Sequence, residues 1–378
     1  MGIHFGLSDK GDPVDSTGVC SNIPDARMAS LQQVATVAQV EDFDEVIDVR
    51  SPAEFALDHY PGALNCPVLD DSERARVGTA YTQSSAFEAK RLGAALVARN
   101  IAHHLETSFH QRPRDWRPLI YCWRGGGRSD AMCEILRRVG WRAARLQGGY
   151  QAYRRAVIAE LGERPGAHRF HVIAGKTGSA KSRVLGALQR LSAQTLDLEQ
   201  LACHRGSVLG EMPGTMQPTQ KMFESLLWKA LRQLDRERPI FIEAESRKVG
   251  NVQLPGALIA AMRAAPCLTL EVPEAVRIAF LLDEYRHFLS DGDSLCSRLD
   301  TLSAHYSRST IEGWKALARA GDHPQLVREL LRMHYDPAYE RSALRNFSQL
   351  SAAPVFEFDS TDEAAMNAIA RRILAEGG

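Results

Sequence analysis

Several features are missing from this sequence of 378 residues, and each absence narrows what it can be. No stretch approaches the roughly 20 consecutive apolar residues of a spanning helix, which argues against a membrane protein. The opening residues, Met1-Gly2-Ile3-His4-Phe5-Gly6, lack the basic start and apolar run of a secretory signal, so the expectation is a cytoplasmic protein. The seven cysteines are scattered, odd in number and never arranged as Cys-x-x-Cys, which disfavours a disulfide framework and a zinc site and fits a reduced compartment. There is no net charge, with 46 basic residues against 46 acidic ones, so the whole-molecule field gives no argument for a nucleic-acid partner. Internal repeats and low-complexity tracts are also missing. What is present is length enough for two domains, with 44% hydrophobic residues to fill two cores.

Residues 1–30, rich in Gly, Asp, Ser and Pro, read as a loose tail, 31–160 as one domain and 161–378 as a second with a largely helical C-terminal part. Glu45-Val46-Ile47-Asp48-Val49 is a strand signal followed by the helical Ala53-Glu54-Phe55; Tyr60-Pro61-Gly62-Ala63 is a turn into a short strand near Ala63-Leu64-Asn65. Asp70 to Arg117 reads as mostly helical, Leu119-Ile120-Tyr121-Cys122 as a buried strand, and Asp130 to Val139 as a helix closed by Gly140. Trp141 to Leu146 reads as another strand, with Gly148-Gly149 as a turn.

The dense punctuation of Gly162-Glu163-Arg164-Pro165-Gly166 marks a domain boundary. Beyond it Phe170 to Ala174, Ile240 to Glu243, Leu268 to Val272 and Val355 to Phe358 are strand signals, and Glu274 to Arg345 reads as helical. Ser360-Thr361-Asp362-Glu363 reads as a capping box opening the last helix. Strands alternating with helices imply parallel sheets, so the fold class is α/β in both domains. An arginine run from Arg137 to Arg169 crosses the junction; charge alone leaves open whether it is a solvated face or an RNA contact.

Cys122-Trp123-Arg124-Gly125-Gly126-Gly127-Arg128-Ser129 lies between a strand and a helix, where amides and a helix N-terminus converge on one sulfur. With Arg124 and Arg128 alongside, such a site favours a thiolate, and the three glycines let the loop turn its N–H groups inward as an anion cradle. Two chemistries share this design. One carries sulfur or selenium on the cysteine; the other hydrolyses phosphoesters through a phosphocysteine, since Cys122 and Arg128 match C-x5-R. The other six cysteines read as small buried hydrophobes.

Gly175-Lys176-Thr177-Gly178-Ser179-Ala180-Lys181-Ser182 follows the strand ending at Ala174 and opens a helix, a P-loop with alanine in place of its last glycine. Gly175, Gly178, Ser179, Lys181 and Ser182 are the candidate diphosphate binders, provided Ala180 takes a helical backbone, and Ser182 is placed to reach a magnesium ion. Glu243 and Glu245, two apart at the end of a strand and so on one face, are candidates for a second acidic element, or else partners for Arg247 or Lys248.

Residues 40 to about 158 resemble the rhodanese family, on Ile47 to Phe55, on His59-Tyr60-Pro61-Gly62-Ala63-Leu64-Asn65 and on the cysteine loop. In that resemblance Asp48 and Arg50 brace the loop and His59 is structural. Rhodanese followed by P-loop closely resembles the bacterial tRNA 2-selenouridine synthase family, on Asp197-Leu198-Glu199, His204-Arg205-Gly206-Ser207, Gln217-Pro218-Thr219-Gln220 with Phe223-Glu224, Glu245-Ser246-Arg247 and Tyr335-Asp336-Pro337. The resemblance implies a transferase acting on wobble 2-thiouridine in tRNA: geranyl diphosphate alkylates the sulfur, then selenophosphate replaces the geranylated sulfur with selenium. It implies that Cys122 holds selenium, that Arg124, Gly125, Gly126, Gly127, Arg128 and Ser129 cradle selenophosphate, and that the P-loop holds the prenyl diphosphate. It further implies tRNA and a selenophosphate-producing enzyme as partners, and Asp197, Glu199, His204, Arg205, Glu243, Glu245 and Arg247 as candidates for tRNA or metal contacts. Ala180 and Ala244, where the family tends to carry glycine and an acidic residue, depart from the pattern.

Overall fold

A computed structural model describes residues 34–207, 210–212, 214–289 and 292–376. The expected tail at 1–30 lies outside them. The chain forms two parallel five-stranded sheets in sequence, as the alternation of strands and helices requires.

The first sheet comprises β1 (Val34–Ala35), β2 (Glu45–Asp48), β3 (Leu64–Asn65), β4 (Pro118–Tyr121) and β5 (Ala144–Leu146), in the order β1-β5-β4-β2-β3. Helix α1 (Pro52–Leu57) opens with a reciprocal cap between Ser51 and Glu54. The helical stretch expected over 70–117 is two helices, α2 (Asp71–Gln83) and α3 (Ala86–Thr107); the break falls at Ser84-Ser85, where Ser85 starts a new cap by accepting from the Glu88 N–H. Helix α4 (Gly127–Val139) ends on Gly140 at φ 110, as expected. The strand expected from Trp141 begins only at Ala144, because the Trp141 and Arg142 amides bond instead to the Leu136 and Trp116 carbonyls. The turn expected at Gly148-Gly149 falls on Gln147-Gly148 and runs straight into helix α5 (Gly149–Glu163), both glycines at positive φ.

The second sheet comprises β6 (Phe170–Gly175), β7 (Gln194–Leu196), β8 (Ile240–Glu243) and two strands described below, and β6 is buried almost throughout, as a central parallel strand must be. Helices α6 (Lys181–Arg190), α7 (Leu198–Ala202) and α8 (Gln220–Gln233) follow, then an antiparallel hairpin of β9 (Lys248–Val249) and β10 (Val252–Gln253), and helix α9 (Gly256–Ala264). Strand β11 (Cys267–Glu271) and a final strand β12 (Val355–Glu357) complete the order β12-β11-β6-β8-β7. Between them the chain is helical, beginning with α10 (Glu274–Glu284). The last helix, Glu363–Glu376, is capped by Asp362, which accepts from the Ala365 N–H at 2.8 Å; the expected cap, Ser360, instead bonds Asp362 itself.

One hydrophobic core runs under both sheets. Tyr60, Leu119, Tyr153 and Val157 pack in the same cluster as Phe170, Phe223, Trp228 and Leu258. The Trp228 ring meets Tyr60 and Tyr153 edge-on, at centroid distances of 6.1 and 5.5 Å. Polar ties cross the same seam: Asp58, fully buried and held from its own side by the Tyr150 hydroxyl at 2.8 Å, accepts from the Ser225 hydroxyl across it at 2.6 Å. Lys229 donates to the Pro61 carbonyl at 2.8 Å, and Arg154 pairs with Glu224. Among the described residues no helix is long and apolar enough to cross a membrane.

Candidate active site

Each sheet carries a loop at the carboxyl end of a central strand, where open parallel sheets place their ligands. In the first, β4 delivers Cys122 beneath the N-terminus of α4. The Gly126 N–H donates to Cys122 Sγ at 3.3 Å, and the buried Ser129 hydroxyl lies 3.3 Å from the same sulfur. The loop closes only because Gly125 has no side chain: at φ +65, an added Cβ would lie 2.7 Å from the Leu146 carbonyl oxygen. Burial works against charge on the sulfur, yet the Ser129 hydroxyl, the Gly126 amide and the Arg128 guanidinium outweigh it and hold the Cys122 thiol below its ordinary value. At Cys66 and Cys133 burial outweighs the Ser108 hydroxyl and Arg112 near the one and Arg137 near the other, and pushes both thiols up to about 12.

Around this loop Arg128 pairs with Glu54 at 2.9 Å, Arg145 donates to the Gly125 carbonyl at 2.7 Å, and Arg124 is exposed. Trp123 stacks on Tyr150 at 5.2 Å with its other side open to solvent. Arg50, fully buried, binds both Asp48 oxygens, donates to the Asp58 carbonyl and lies 4.0 Å from the Tyr150 ring centre, so this pair reaches the loop through Tyr150 and Trp123. His59 bonds the Phe55 carbonyl and stacks on the Phe55 ring.

The second loop runs from Gly175 to Ser182 between β6 and α6. Gly178 sits at φ +85, and an added Cβ on Gly175 would stand 2.4 Å from the Ser179 hydroxyl. Ala180 is left-handed, at φ 56 and ψ 31, and not helical as the sequence led us to expect. The turn into α6 keeps the geometry that the usual glycine supplies, and alanine adopts it at a cost of roughly 1 kcal/mol. Lys181 Nζ folds back onto the Gly175 carbonyl at 2.9 Å, and the Ser182 hydroxyl donates to Glu199 at 2.9 Å.

This loop faces a cleft of about 720 Å³, and Lys181, Ser182, Asp197, Glu199, Arg205 and Glu245 all line it. Glu243 and Glu245 do not share a strand face, because β8 ends at Glu243. Glu243 is wholly buried behind the cleft; one oxygen accepts the Glu199 N–H at 2.8 Å, and Oε2 has no partner. Burial, then the neighbouring Asp197, Glu199 and Glu245, holds its carboxyl well above the usual range. Burial and Glu199 push Glu245 up to about 8, and burial also raises Asp197 and Glu199. Asp197 doubles as the cap of α7, accepting the Gln200 N–H at 2.7 Å. Arg205 pairs with Glu284 and lies over Tyr285.

Two of the expected residues fall elsewhere. His204 is buried outside the cleft lining, its Nδ1 accepting the Gly206 N–H at 3.1 Å, and Arg247 is exposed away from it. The arginine run is also largely spoken for: Arg138 pairs with Glu134, Arg145 with Asp130, Arg154 with Glu224 and Arg164 with Glu160. Among the described residues of the run Arg142, Arg155 and Arg169 are exposed with no ion pair, Arg169 donating to the Glu237 carbonyl at 3.2 Å.

Sequence reasoning did not pick out Arg277, which is buried, donates to the Thr177 carbonyl at 2.8 Å and forms a two-bonded pair with Asp336. Its signal was Tyr335-Asp336-Pro337, quoted without a role. It also did not foresee an apolar pocket of about 50 Å³ beside the cleft, formed by Phe288, Leu295, Leu326, Leu330 and Leu331 and sharing Thr177, Leu281, Tyr285 and Tyr335 with it. Among the described residues no three His, Cys, Asp or Glu side chains are placed to hold a metal. The oxygen-only pair of Ser182 and Glu199 suits a magnesium ion that keeps most of its waters.

A cysteine loop on a rhodanese-like sheet, followed by a P-loop on a second parallel sheet, defines a two-domain protein with a candidate site on each sheet. Residues 31–156 match the model of the rhodanese-like domain, and 168–292 that of the tRNA 2-selenouridine synthase AAA domain. A tRNA 2-selenouridine synthase of Sulfurovum sp. is 32% identical over 81% of this chain and 90% of its own length. That of Shewanella loihica is 34% identical over 78% and 86%, and that of Nitrosomonas europaea 35% identical over 64% and 63%. The chain belongs to the tRNA 2-selenouridine synthase family.

Proposed function

We propose that this chain works in the cytoplasm on tRNA, replacing the sulfur of wobble 2-thiouridine by selenium from selenophosphate through an S-geranylated intermediate. The observation that carries the reading is the pairing of sites within one family member: a thiol held below its ordinary value inside an amide-lined loop, and a phosphate loop whose cleft opens onto an apolar pocket. An anionic head with an apolar tail matches the second site better than a nucleotide does.

In the first half-reaction the thiouridine sulfur attacks the geranyl carbon, the carbon–oxygen bond breaks, and its electron pair leaves on the diphosphate while the base loses its N3 proton. The loop amides from Gly175 to Ser182, together with Lys181, hold that diphosphate, and charge growing on it is what Lys181 stabilises. A magnesium ion held beside Ser182 and Glu199 would add further neutralisation. In the second half-reaction selenophosphate sits on the amides of Gly125, Gly126 and Gly127 with Arg124 and Arg128 nearby, and Cys122 acts on it.

The test supplies the purified protein with thiouridine-bearing tRNA, geranyl diphosphate and selenophosphate, and measures the nucleosides by mass spectrometry. 2-Selenouridine is the expected product, with the geranylated nucleoside appearing when selenophosphate is withheld. Absence of both would end the reading.

A further inference from the structure

We propose that Cys122 takes the phosphoryl group of selenophosphate, as a phosphocysteine, and releases the selenium as hydroselenide. The step rests on the selenophosphate reading above and changes what the cysteine carries. Electron counting is the first argument. Selenium in selenophosphate is bound to phosphorus(V), and in phosphoryl transfer the bond to phosphorus breaks with its electron pair on the leaving atom. Moving selenium onto the thiolate as a selenosulfide would demand the reverse, with both electrons retained by phosphorus and phosphite as the product. That outcome needs an oxidant for any phosphate to appear, and nothing in the reaction supplies one.

Attack at phosphorus balances without help. The Cys122 thiolate forms a sulfur–phosphorus bond, the phosphorus–selenium bond breaks, and the Se–H proton of the donor departs with HSe⁻. The hydroselenide adds at C2 of the geranylated base and expels geranylthiolate, its proton passing to N3. Water then cleaves the phosphocysteine to phosphate and regenerates the thiolate. The cysteine does the same work if selenium joins C2 first: the sulfur attacks the phosphorus still attached to that selenium.

Geometry is the second argument. Cys122 and Arg128 stand in the C-x5-R relation, with Gly125 turned at φ +65 and α4 beginning at Gly127, so the loop wraps a tetrahedral anion around the sulfur and not a bare selenium atom. One terminal guanidinium nitrogen of Arg128 is held by Glu54 at 2.9 Å, and the charge of the group acts on the Cys122 sulfur. The buried Ser129 hydroxyl, 3.3 Å from Sγ and 3.0 Å from the Gly126 carbonyl oxygen, favours the attacking thiolate and, turned from that carbonyl to the sulfur, stabilises it again as it departs in phosphocysteine hydrolysis.

The experiment uses the full chain with tRNA bearing S-geranyl-2-thiouridine and selenophosphate labelled in separate runs with ³²P and ⁷⁵Se, quenched on the millisecond scale and mapped to the Cys122 peptide. Phosphorus label on Cys122, chased into free phosphate, is expected. Ser129→Ala should slow the chase by about 10²-fold and let the phosphorylated form accumulate, while Cys122→Ser takes up no label. Selenium label on Cys122 would overturn the proposal, as would 2-selenouridine formation without phosphorus label on either the wild type or the Ser129→Ala protein. A wild type that consumes no selenophosphate at all would instead remove the functional reading, and this step with it.

Discussion

The cysteine loop and the phosphate loop share a plan, strand then glycine turn then helix N-terminus, and differ in what surrounds it. Arg124, Arg128 and Arg145 gather at the first, and the thiol there is drawn below its ordinary value. At the second, Asp197, Glu199, Glu243 and Glu245 crowd one lysine; burial raises all four carboxyls, and repulsion from neighbouring carboxylates adds to it at Glu199, Glu243 and Glu245. The surroundings of the first site thus favour loss of a proton, whereas those of the second favour keeping one. A helix N-terminus fixes where an anion sits; the side chains behind it decide in what protonation state the site waits.

The largest test of this contrast is to break each site alone. Cys122→Ser should stop selenation, with a loss of at least ~10³-fold, and leave geranylation intact. Lys181→Ala should slow geranylation by ~10²-fold and spare selenation of tRNA supplied already geranylated. Equal loss of both steps in both variants, measured on the separated half-reactions, would mean that the loops serve one shared centre.

Next in size is the support behind the phosphate loop. Arg277→Ala leaves Asp336 and the Thr177 carbonyl without their buried donor, and should lower stability by about 3 kcal/mol in chemical denaturation. A loss under 1 kcal/mol would show that the pair is not what holds the loop.

A pH effect should follow from Glu245. Its carboxyl, raised to about 8 in the folded protein, binds a proton there that the unfolded chain has already released. Stability from this group is therefore present below the ordinary carboxylate range and is lost as pH rises towards 8. Glu245→Gln should flatten that decline, so that its melting temperature exceeds the wild type's at pH 8 and converges with it near pH 4. Parallel melting curves across that range would contradict the raised carboxyl.

The smallest effect belongs to Ala180. Ala180→Gly removes the left-handed strain but loosens the unfolded chain, so the net gain should stay below about 1 kcal/mol. A destabilised variant would show that the alanine methyl, buried in one cluster with Val184 and Leu185, outweighs the strain.

The sequence made both loops legible because each is contiguous: cysteine, glycines and arginines, or glycines, lysine and serine, sit within eight residues that must fold together. The parallel sheets were legible for a similar reason, in the alternation of apolar runs with amphipathic helices. What was not legible lies across long separations. Arg277 and Asp336 are 59 residues apart, and Ser225 finds Asp58 at a separation of 167. The arginine run shows the converse error: contiguous in sequence, it is dispersed in space, with Arg154 committed to Glu224 across the seam. Reversing the exposed Arg155 is therefore a cleaner probe of an RNA-facing surface than reversing Arg154.

The seam itself bears on how such a chain is inherited. Its first half presents Tyr60, Tyr153 and the carboxylate of Asp58 to a surface that only Trp228 and Ser225 of the second half complete. Moved by recombination into another chain, that half would arrive with a greasy, charged wound in place of an outer face. A change on one side of the seam then meets its opposite number on the other, so the two loops, though built separately, are joined in one folded unit.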